Sequence, residues 1–392
     1  MAGRKSLKSF RKPYSLLNKV RWIQSGSGYF KELTELINSA ESEIHIQTYI
    51  FSSDHTGLQI AEALIGAARR GVNIFLLIDA YGSKQLTSTI EEQMTAAGIQ
   101  IFRYGKFYSQ GRLHISRRLH RKIIVIDGKS AIVGGMNISD HYNDISHQPA
   151  WLDFAVILEG EIARRLRHIC KSRWKGVKFP RLNDEDDLKE AGFAIPVRIR
   201  RNDFVRNQNE IAVSYRQAIR QAQKSLLFIG AYFLPGGRSR RLLRDTARRG
   251  VDVRILVAEH SDVGIMGNAR RYLYAWLIRN GIKVFEYRKS NVHGKVLVAD
   301  KQWVTIGSFD LNNLSTFSNI ELNLDINHAP FADDLSRHIE KLIDENSVQI
   351  TPDLIQKHSG IFEKFKLWAA YQIVKTLFVL SVYLSGKGDR ES

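Results

Sequence analysis

The sequence predicts an α/β protein made of two similar lobes, and three observations support this prediction. The chain has 392 residues, which is enough for two domains. Apolar residues make up 44% of it, enough for a substantial core. An internal repeat alternates strand-like and helix-like segments in both halves. We therefore expect each half to contain a largely parallel, buried sheet flanked by helices, and the two halves to be related by a pseudo-twofold axis.

Each copy of the repeat predicts a strand, a turn, an amphipathic helix and a second strand. The first copy is EIHIQTYIFSSDHTGLQIAEALIGAARRGVNIFLLID, and the second is KSLLFIGAYFLPGGRSRRLLRDTARRGVDVRILVAE. Both contain the link Ala-Arg-Arg-Gly-Val, in which Gly71 and Gly250 stand where a glycine commonly ends a helix. A further strand follows in each copy, GIQIFRY in the first and GIKVFEY in the second.

The repeat and the composition divide the chain into five predicted segments. They are a basic N-terminal segment at 1–22, a first lobe at 23–178, a charged linker at 179–207, a second lobe at 208–350 and a C-terminal segment at 351–392.

Charge is the most unusual feature of the composition. Lysine and arginine number 58 against 40 acidic residues, a formal net charge of +18. Such a surface favours nucleic acid or an anionic membrane, and the alternative is a soluble protein that happens to be basic. The single cysteine, Cys170, excludes a disulfide framework and suits a reducing compartment. The N-terminus lacks the apolar stretch of a secretory signal.

Two copies of a His-x-Lys-x4-Asp motif follow the repeated strands, one in each lobe. They occur in the segments HRKIIVIDGKSAIVGGMN and HGKVLVADKQWVTIGSFD. Histidine and lysine two positions apart on a strand point to the same face. The two motifs have identical spacing and occur at matching places in the two copies of the repeat. A chance similarity between two unrelated surface strands explains this match poorly. The catalytic candidates are His120, Lys122, Asp127, His293, Lys295 and Asp300.

These residue types suit the transfer of a phosphorus-centred group. One histidine can attack phosphorus and form a phosphohistidine, which splits a difficult displacement into two easier ones. A second histidine can protonate the departing alcohol oxygen and later deprotonate the incoming one. Two lysines supply positive charge to the phosphoryl oxygens. Because lysine is a poor neighbour for a divalent cation, we expect a site without a metal ion or other cofactor.

The double motif resembles the signature HxKx4Dx6G[GS]xN of the phospholipase D superfamily. The resemblance covers roughly residues 23–350 and implies two fused phospholipase D-like α-β-α lobes with one shared active site. Within the superfamily, the layout looks most like the bacterial cardiolipin synthases that lack N-terminal transmembrane helices. The segments that carry this likeness include RLHRKIIVIDG, GGMNISD, AYFLPGGRSRRLL and HGKVLVAD.

Four supporting residues complete the predicted site. The family has an acidic residue downstream of each motif that orients a catalytic histidine, and Asp153 and Glu321 match these positions. Asn137 and Ser308 follow the glycines of the motif and are candidate hydrogen-bond donors to phosphate. The two motif aspartates end their strands with the opposite parity to histidine and lysine, so we expect them to support the site without contacting phosphate.

The second copy departs from the family pattern. Asp310 stands where asparagine is usual, and Asn312 and Leu314 stand where many relatives have aspartate and arginine. A carboxylate near a phosphate repels it unless it is turned away or protonated. The role of Asp310 as a ligand is therefore left open.

The resemblance implies the transfer of a phosphatidyl group from one phospholipid to the primary hydroxyl of phosphatidylglycerol. His120 is our candidate nucleophile and His293 the acid and base, although two symmetric halves leave this order open. The donor is also open between phosphatidylglycerol, phosphatidylethanolamine and cardiolipin in reverse. The alternatives are a phospholipid hydrolase, a phosphodiesterase or nuclease acting on nucleic acid, and a catalytically silent binding protein.

The C-terminal segment Phe362–Leu384 is the one long apolar stretch. Gln372 and Lys375 interrupt it, so we predict an interfacial helix in preference to a transmembrane span, with a helix packed on the second lobe as the alternative. This predicts a peripheral protein on the cytoplasmic face of the inner membrane. Its expected partners are anionic phospholipids and the membrane surface, and nucleic acid is disfavoured.

Overall fold

The structure is a computed structural model that describes most of the chain between residues 13 and 388. Within these limits, the positions left out are 106–107, 110–111, 114–116, 146–147, 173, 175, 178, 180–193, 205, 313–314, 317–318 and 358–359. The basic residues 1–12, most of the predicted linker and Leu314 therefore lie outside the described residues.

The chain divides into two compact units, Met1–Ile199 and Arg200–Ser392. The division falls inside the segment predicted as a linker, 179–207. The end of that segment forms a strand, Val197–Asp203, which belongs to the sheet of the second unit. The lobe limits drawn from the sequence stay predictions.

The first unit is built on a seven-stranded sheet. The strands of this sheet are β1 (Asn18–Gln24), β2 (Glu43–Thr48), β3 (Asn73–Asp79), β4 (Gln100–Tyr104), β8 (Lys122–Ile126), β9 (Ser130–Gly134) and β10 (Phe154–Gly160). Between β4 and β8 lie three short strands, β5 (Tyr108–Ser109), β6 (Arg112–Leu113) and β7 (Arg118–Leu119), of which β5 and β6 pair with each other. Its helices are α1 (Ser27–Asn38), α2 (His55–Arg69), α3 (Ser88–Ala96) and α4 (Glu161–Lys171). The sheet order is β1-β10-β9-β8-β2-β3-β4, so β8 lies beside β2 near its centre.

The second unit repeats this plan. Its strands are β11 (Val197–Asp203), β12 (Gln208–Asn209), β13 (Ser225–Gly230), β14 (Asp252–Ala258), β15 (Lys283–Tyr287), β16 (Lys295–Ala299), β17 (Trp303–Gly307), β18 (Asn319–Asn327) and β19 (Ser347–Gln349). Its helices are α5 (Glu210–Gln221), α6 (Gly237–Arg248), α7 (Gly264–Arg279), α8 (Ala329–Asn346), α9 (Pro352–Lys357) and α10 (Ile361–Gly388). The strand order is β12-β11-β18-β17-β16-β13-β14-β15-β19, which places β16 beside β13.

Both sheets are mixed, so the prediction of largely parallel sheets is wrong. In the first sheet, β2, β3 and β4 pair in parallel, and the remaining neighbours are antiparallel. In the second, β13, β14 and β15 are parallel, whereas β16 pairs antiparallel with both β13 and β17. Helices connect the parallel strands, as crossovers require. Tight turns join β8 to β9 and β16 to β17, and such turns allow only antiparallel pairing.

Helices cover both faces of each sheet. In the first unit, α1 and α2 pack on the face that carries Ile44 and Ile46, while α4 covers the opposite face, where Arg167 pairs with Glu43. In the second unit, α5, α6 and α7 pack on the face that carries Phe228, and α8 packs against β15, β16 and β17 from the other side. These layers confirm the predicted α-β-α lobes.

The repeated link Ala-Arg-Arg-Gly-Val has the same structural role in both units. Its second arginine donates to carbonyl oxygens at the end of a neighbouring helix: Arg70 to Asn38 of α1 at 2.9 Å, and Arg249 to Arg220 of α5 at 3.0 Å. Carbonyl groups at a helix end otherwise lack partners. The glycine that follows has a positive φ in both links, 92° and 87°, which suits the end of a helix.

The C-terminal helix α10 packs along α7 by one face. Tyr371 stacks on Tyr272 of α7 with ring centroids 4.8 Å apart, and Ala370, Val374 and Phe378 are buried. Another face is apolar and exposed. The exposed apolar residues of α10 are Ile361, Phe362, Phe365, Trp368, Ile373, Leu377, Val379 and Leu380. Among the described residues, no helix has the length and apolar character needed to cross a membrane.

Candidate active site

The first motif lies at the start of β8. Lys122 is the first residue of the strand, is buried, and donates from Nζ to the carbonyl oxygen of His120 at 2.8 Å. Tyr49, just after β2, contacts both residues. Its ring lies edge-on to His120 with centroids 5.2 Å apart, and Lys122 Nζ is 5.4 Å from the centroid of the same ring. The first half-site is therefore formed by a histidine, a lysine and a tyrosine.

Tyr49 was missed in the sequence analysis, although it directly follows the strand that pairs with β8. Burial and, next, the Asp79 carboxylate raise the pKa of Tyr49 to about 12. The phenol therefore stays protonated at neutral pH. A neutral ring beside the lysine adds a cation–π contact without removing its charge.

Tyr49→Ala is expected to lower kcat by about tenfold or more, because the ring that confines His120 and Lys122 is lost. Tyr49→Phe keeps the ring and is the matched control, with kcat expected within about threefold of wild type. Steady-state kinetics with phospholipid vesicles measures both variants. If Tyr49→Phe lost as much kcat as Tyr49→Ala, the hydroxyl and not the ring would be the group that matters.

Asn137 orders the segment that carries Tyr49. Its Oδ1 accepts the backbone N–H of Ile50 at 3.1 Å, and its Nδ2 donates to the Tyr142 hydroxyl at 2.8 Å. The amide thus links the glycine turn of the motif to the end of β2. Its predicted donation to phosphate stays a prediction.

The second motif has the same bond between lysine and histidine at the start of β16. Lys295 is the first residue of the strand and donates from Nζ to the carbonyl oxygen of His293. A carboxylate is also present here, since Asp310 Oδ2 is 3.6 Å from Lys295 Nζ. Asp310 Oδ1 accepts the backbone N–H of Tyr232 at 3.1 Å, which is the counterpart of the bond between Asn137 and Ile50.

The downstream acids are buried close to the glycine turns. Ser308 donates to one carboxylate oxygen of Glu321, and Asn319 Nδ2 donates to the other at 3.1 Å. Asp153 is fully buried beside Gly135, where a side chain on the glycine would overlap its carboxylate. The Ser308 hydroxyl hydrogen is thus used in the bond to Glu321. The expected contacts of Asp153 and Glu321 with the histidines stay predictions.

Asp127 lies at the other end of β8 from the histidine and lysine. It adopts a left-handed conformation, with φ 54°, in the turn between β8 and β9. Its carboxylate accepts the backbone N–H groups of Glu41, Ser42 and Glu43 at 2.8–2.9 Å, and the Ser42 hydroxyl at 2.7 Å. The β8 strand separates it from Lys122 by about 17 Å at ~3.3 Å per residue.

Asp300 has the same role in the second unit. Its φ is also 54°, and its carboxylate accepts the backbone N–H groups of Gln223, Lys224 and Ser225 at 2.7–2.9 Å. Each aspartate thus fastens the turn after a motif strand to the start of the neighbouring strand. These contacts give both aspartates a structural role, and their place among the catalytic candidates stays a prediction.

A family model matches both halves of the chain. The model described as "Cardiolipin synthase, PLD-like domain" matches the chain twice, at 33–174 and at 215–343. The chain belongs to this cardiolipin synthase family of phospholipase D-like proteins. Each matched range contains one complete half-site, so the repeat seen in the sequence corresponds to two copies of the family domain.

Individual relatives agree with this membership. The chain is 32% identical over 355 residues to cardiolipin synthase B of Shigella flexneri, covering 87% of this chain and 84% of the relative. It is 31% identical over 342 residues to a probable cardiolipin synthase of Bacillus subtilis, covering 84% and 67%. A phosphatidylserine synthase of Haemophilus influenzae Rd KW20 has the same fold, with a TM-score of 0.74 at 15% identity over 97% of this chain and 99% of that chain.

These findings confirm the resemblance to the phospholipase D superfamily and, within it, to the cardiolipin synthases. They also confirm the prediction that the chain is an enzyme of the phosphatidyltransferase class. The alternative of a catalytically silent binding protein is disfavoured.

Proposed function

We propose that this chain transfers a phosphatidyl group to the primary hydroxyl of phosphatidylglycerol and so forms cardiolipin. The observation that carries the proposal is the matched pair of half-sites at the starts of β8 and β16. Each presents a histidine whose carbonyl oxygen holds the adjacent lysine. Membership of the cardiolipin synthase family supports this reaction class and phospholipids as the substrates.

In the proposed first step, His120 attacks the phosphorus of a donor phospholipid. The bond from phosphorus to the head-group oxygen breaks, and His293 gives its proton to that oxygen, so glycerol leaves when the donor is phosphatidylglycerol. The second step reverses the roles. His293 takes the proton of the acceptor hydroxyl, whose oxygen displaces His120 from phosphorus. The proposal requires that both histidines reach the same phosphorus atom.

The two lysines stabilise the negative charge on the non-bridging phosphoryl oxygens during both steps. In each half-site the lysine Nζ donates to the backbone carbonyl oxygen of the motif histidine, and this bond does not involve the imidazole ring. The acceptor must compete with water, so the reaction requires a site sheltered from bulk solvent. Phosphatidylethanolamine is the alternative donor, and its use would release ethanolamine.

Purified protein and phosphatidylglycerol vesicles test the proposal. The expected products are cardiolipin and glycerol in equal amounts. Phosphatidic acid as the only product would indicate a hydrolase. Cleavage of DNA without lipid turnover would indicate a phosphodiesterase of nucleic acids and would contradict the proposal. Vesicles that also contain phosphatidylethanolamine identify the donor by the alcohol released.

We further propose that the chain attaches peripherally to the cytoplasmic face of the inner membrane through α10. The exposed face of this helix carries Phe362 and Phe365, which are 91% and 64% exposed. Lys364, Lys366 and Lys375 are exposed on the same helix and complement the charge of anionic headgroups. The opposite face packs on α7, so the helix is held on the protein while its apolar side chains remain available to the bilayer.

Replacing Phe362 and Phe365 together by serine is expected to weaken binding to phosphatidylglycerol-containing vesicles at least about tenfold. The variant lacks the two aromatic side chains whose transfer from water into the bilayer favours binding. Thr376→Ala, an exposed polar position of the same helix, is the matched control. Vesicle sedimentation at two salt concentrations measures the effect. Unchanged binding of the double variant would contradict the role of α10.

A further inference from the structure

The second half-site contains a buried ion pair between Lys295 and Asp310. Their side chains are 1% and 3% exposed, and Lys295 Nζ lies 3.6 Å from Asp310 Oδ2. Asp310 is held in place independently of the lysine. Its Oδ1 accepts the backbone N–H of Tyr232, and its own backbone N–H donates to the Ser315 hydroxyl at 3.3 Å.

A buried ammonium group is costly unless a counter-charge compensates it. The carbonyl oxygen of His293 is polar but uncharged, so Asp310 supplies the negative charge beside the lysine. That same charge opposes a phosphate that approaches the ammonium, since two anions a few ångström apart repel each other. Asp310 therefore favours the charged lysine and disfavours the anion that the lysine is expected to bind.

Asp310 is not needed for the local fold to form. In the first unit, Asn137 occupies the corresponding place, and its Oδ1 makes the corresponding bond to the backbone N–H of Ile50. An asparagine is thus sufficient to fasten this turn. What aspartate adds is the second, charged oxygen, and in the structure that oxygen faces Lys295.

We infer that Asp310 is a positioning residue that holds the Lys295 ammonium in place before phosphate binds, and that the bound phosphate then shares this ammonium. The inference rests on the proposed function, because it takes Lys295 as a phosphate ligand. It assigns a role to the position at which the second motif departs from its family pattern. The two half-sites then differ in how they hold their lysines.

Tyr215 on α5 lies close enough to Asp310 to interact with its charge, and it also interacts with Glu321 and Asp325 on β18. Burial, and then the Asp310 and Asp325 carboxylates, raise the pKa of Tyr215, so its phenol stays neutral in the working range. Tyr215 does not compensate the lysine when Asp310 is removed.

Asp310→Asn tests the inference, with Asp245→Asn, an exposed carboxylate on α6, as the control for net charge. The expected result is that competitive inhibition by inorganic phosphate strengthens about three- to tenfold near pH 6.5, since the repelling charge is gone. Asp245→Asn should not change the inhibition by phosphate.

A binding cycle separates this inference from the proposed function. Calorimetric titration with inorganic phosphate is performed on wild type, Asp310→Asn, Lys295→Gln and the double variant, and thermal unfolding verifies that each is folded. Tighter binding in Asp310→Asn that disappears when Lys295 is glutamine supports the inference even if lipid turnover is absent. Unchanged phosphate affinity in folded Asp310→Asn would overturn it. Absence of cardiolipin formation by the wild type would overturn only the proposed function.

Discussion

His120→Ala and His293→Ala are each expected to lower the rate of cardiolipin formation by at least about 10⁴-fold. One variant lacks the nucleophile, and the other lacks the group that protonates the leaving oxygen. Alanine leaves the backbone carbonyl oxygen that holds each lysine, so the rest of the half-site stays in place. Mass-spectrometric detection of cardiolipin formed in phosphatidylglycerol vesicles measures the loss.

A donor with an activated leaving group distinguishes the two histidines. The p-nitrophenyl ester of phosphatidic acid releases nitrophenolate without needing a proton. His293→Ala is therefore expected to keep a rapid burst of nitrophenolate and to accumulate the phosphohistidine, while His120→Ala shows no burst. The reverse pattern would make His293 the nucleophile.

Two exposed histidines, His55 and His260, provide matched controls in the two units. Their alanine variants are expected to turn over at the wild-type rate. Full turnover by both His120→Ala and His293→Ala would contradict the whole mechanism.

Asp127→Asn is expected to lower the free energy of unfolding by about 3 kcal/mol, an effect on stability and not on chemistry. The carboxylate accepts hydrogen bonds from three successive backbone N–H groups and one hydroxyl, and an amide offers only one oxygen to them. The NH2 group of the new amide would face backbone N–H groups, and two donors cannot form a hydrogen bond with each other. Urea unfolding measures the loss, while kcat at a temperature where the variant is folded should stay within about threefold of wild type.

The stability difference between wild type and Asp127→Asn is expected to depend on pH. Burial alone would raise the pKa of Asp127, but the hydrogen bonds from Glu43, Glu41 and Ser42 outweigh it and lower the pKa below its ordinary value. The carboxylate therefore contributes fully above the ordinary carboxyl pKa of about 3.9, and this contribution is lost as pH falls through the lowered pKa.

Glu41→Gln is the control for this measurement. Its carboxylate is 78% exposed and lies 3.7 Å from Lys129, so the change in stability should stay below about 0.5 kcal/mol. A difference between wild type and Asp127→Asn that is equally large at pH 7 and at pH 2 would contradict the assigned role of the Asp127 charge.

Much of the fold was accessible from the sequence because it depends on short-range spacing. The repeat placed β2, α2 and β3 in one unit and β13, α6 and β14 in the other, and the glycine after each Ala-Arg-Arg link does end a helix. The sheet topology was predicted less well. Buried strands contain similar apolar runs in parallel and antiparallel pairs, so the pattern does not show that β8 pairs antiparallel with β2.

The candidate site was predicted in part for the same reason. Histidine and lysine are two residues apart, and an extended strand places such side chains on the same face regardless of the tertiary structure. Tyr49 is about 70 residues from His120, and its contact with the histidine ring arises only when β2 lies beside β8. The single sequence contains no local signal for that contact.

The motif spacing in the sequence identified two candidate half-sites, the histidine and lysine of each, and the family that they resemble. The tertiary structure decided what the acidic residues of the motifs do. Asp127 and Asp300 bind the backbone at the start of a neighbouring strand, and Asp310 faces the motif lysine of its own unit. The physical reason is that a carboxylate takes its role from the donors that folding brings to it, and those donors are often far away in the chain.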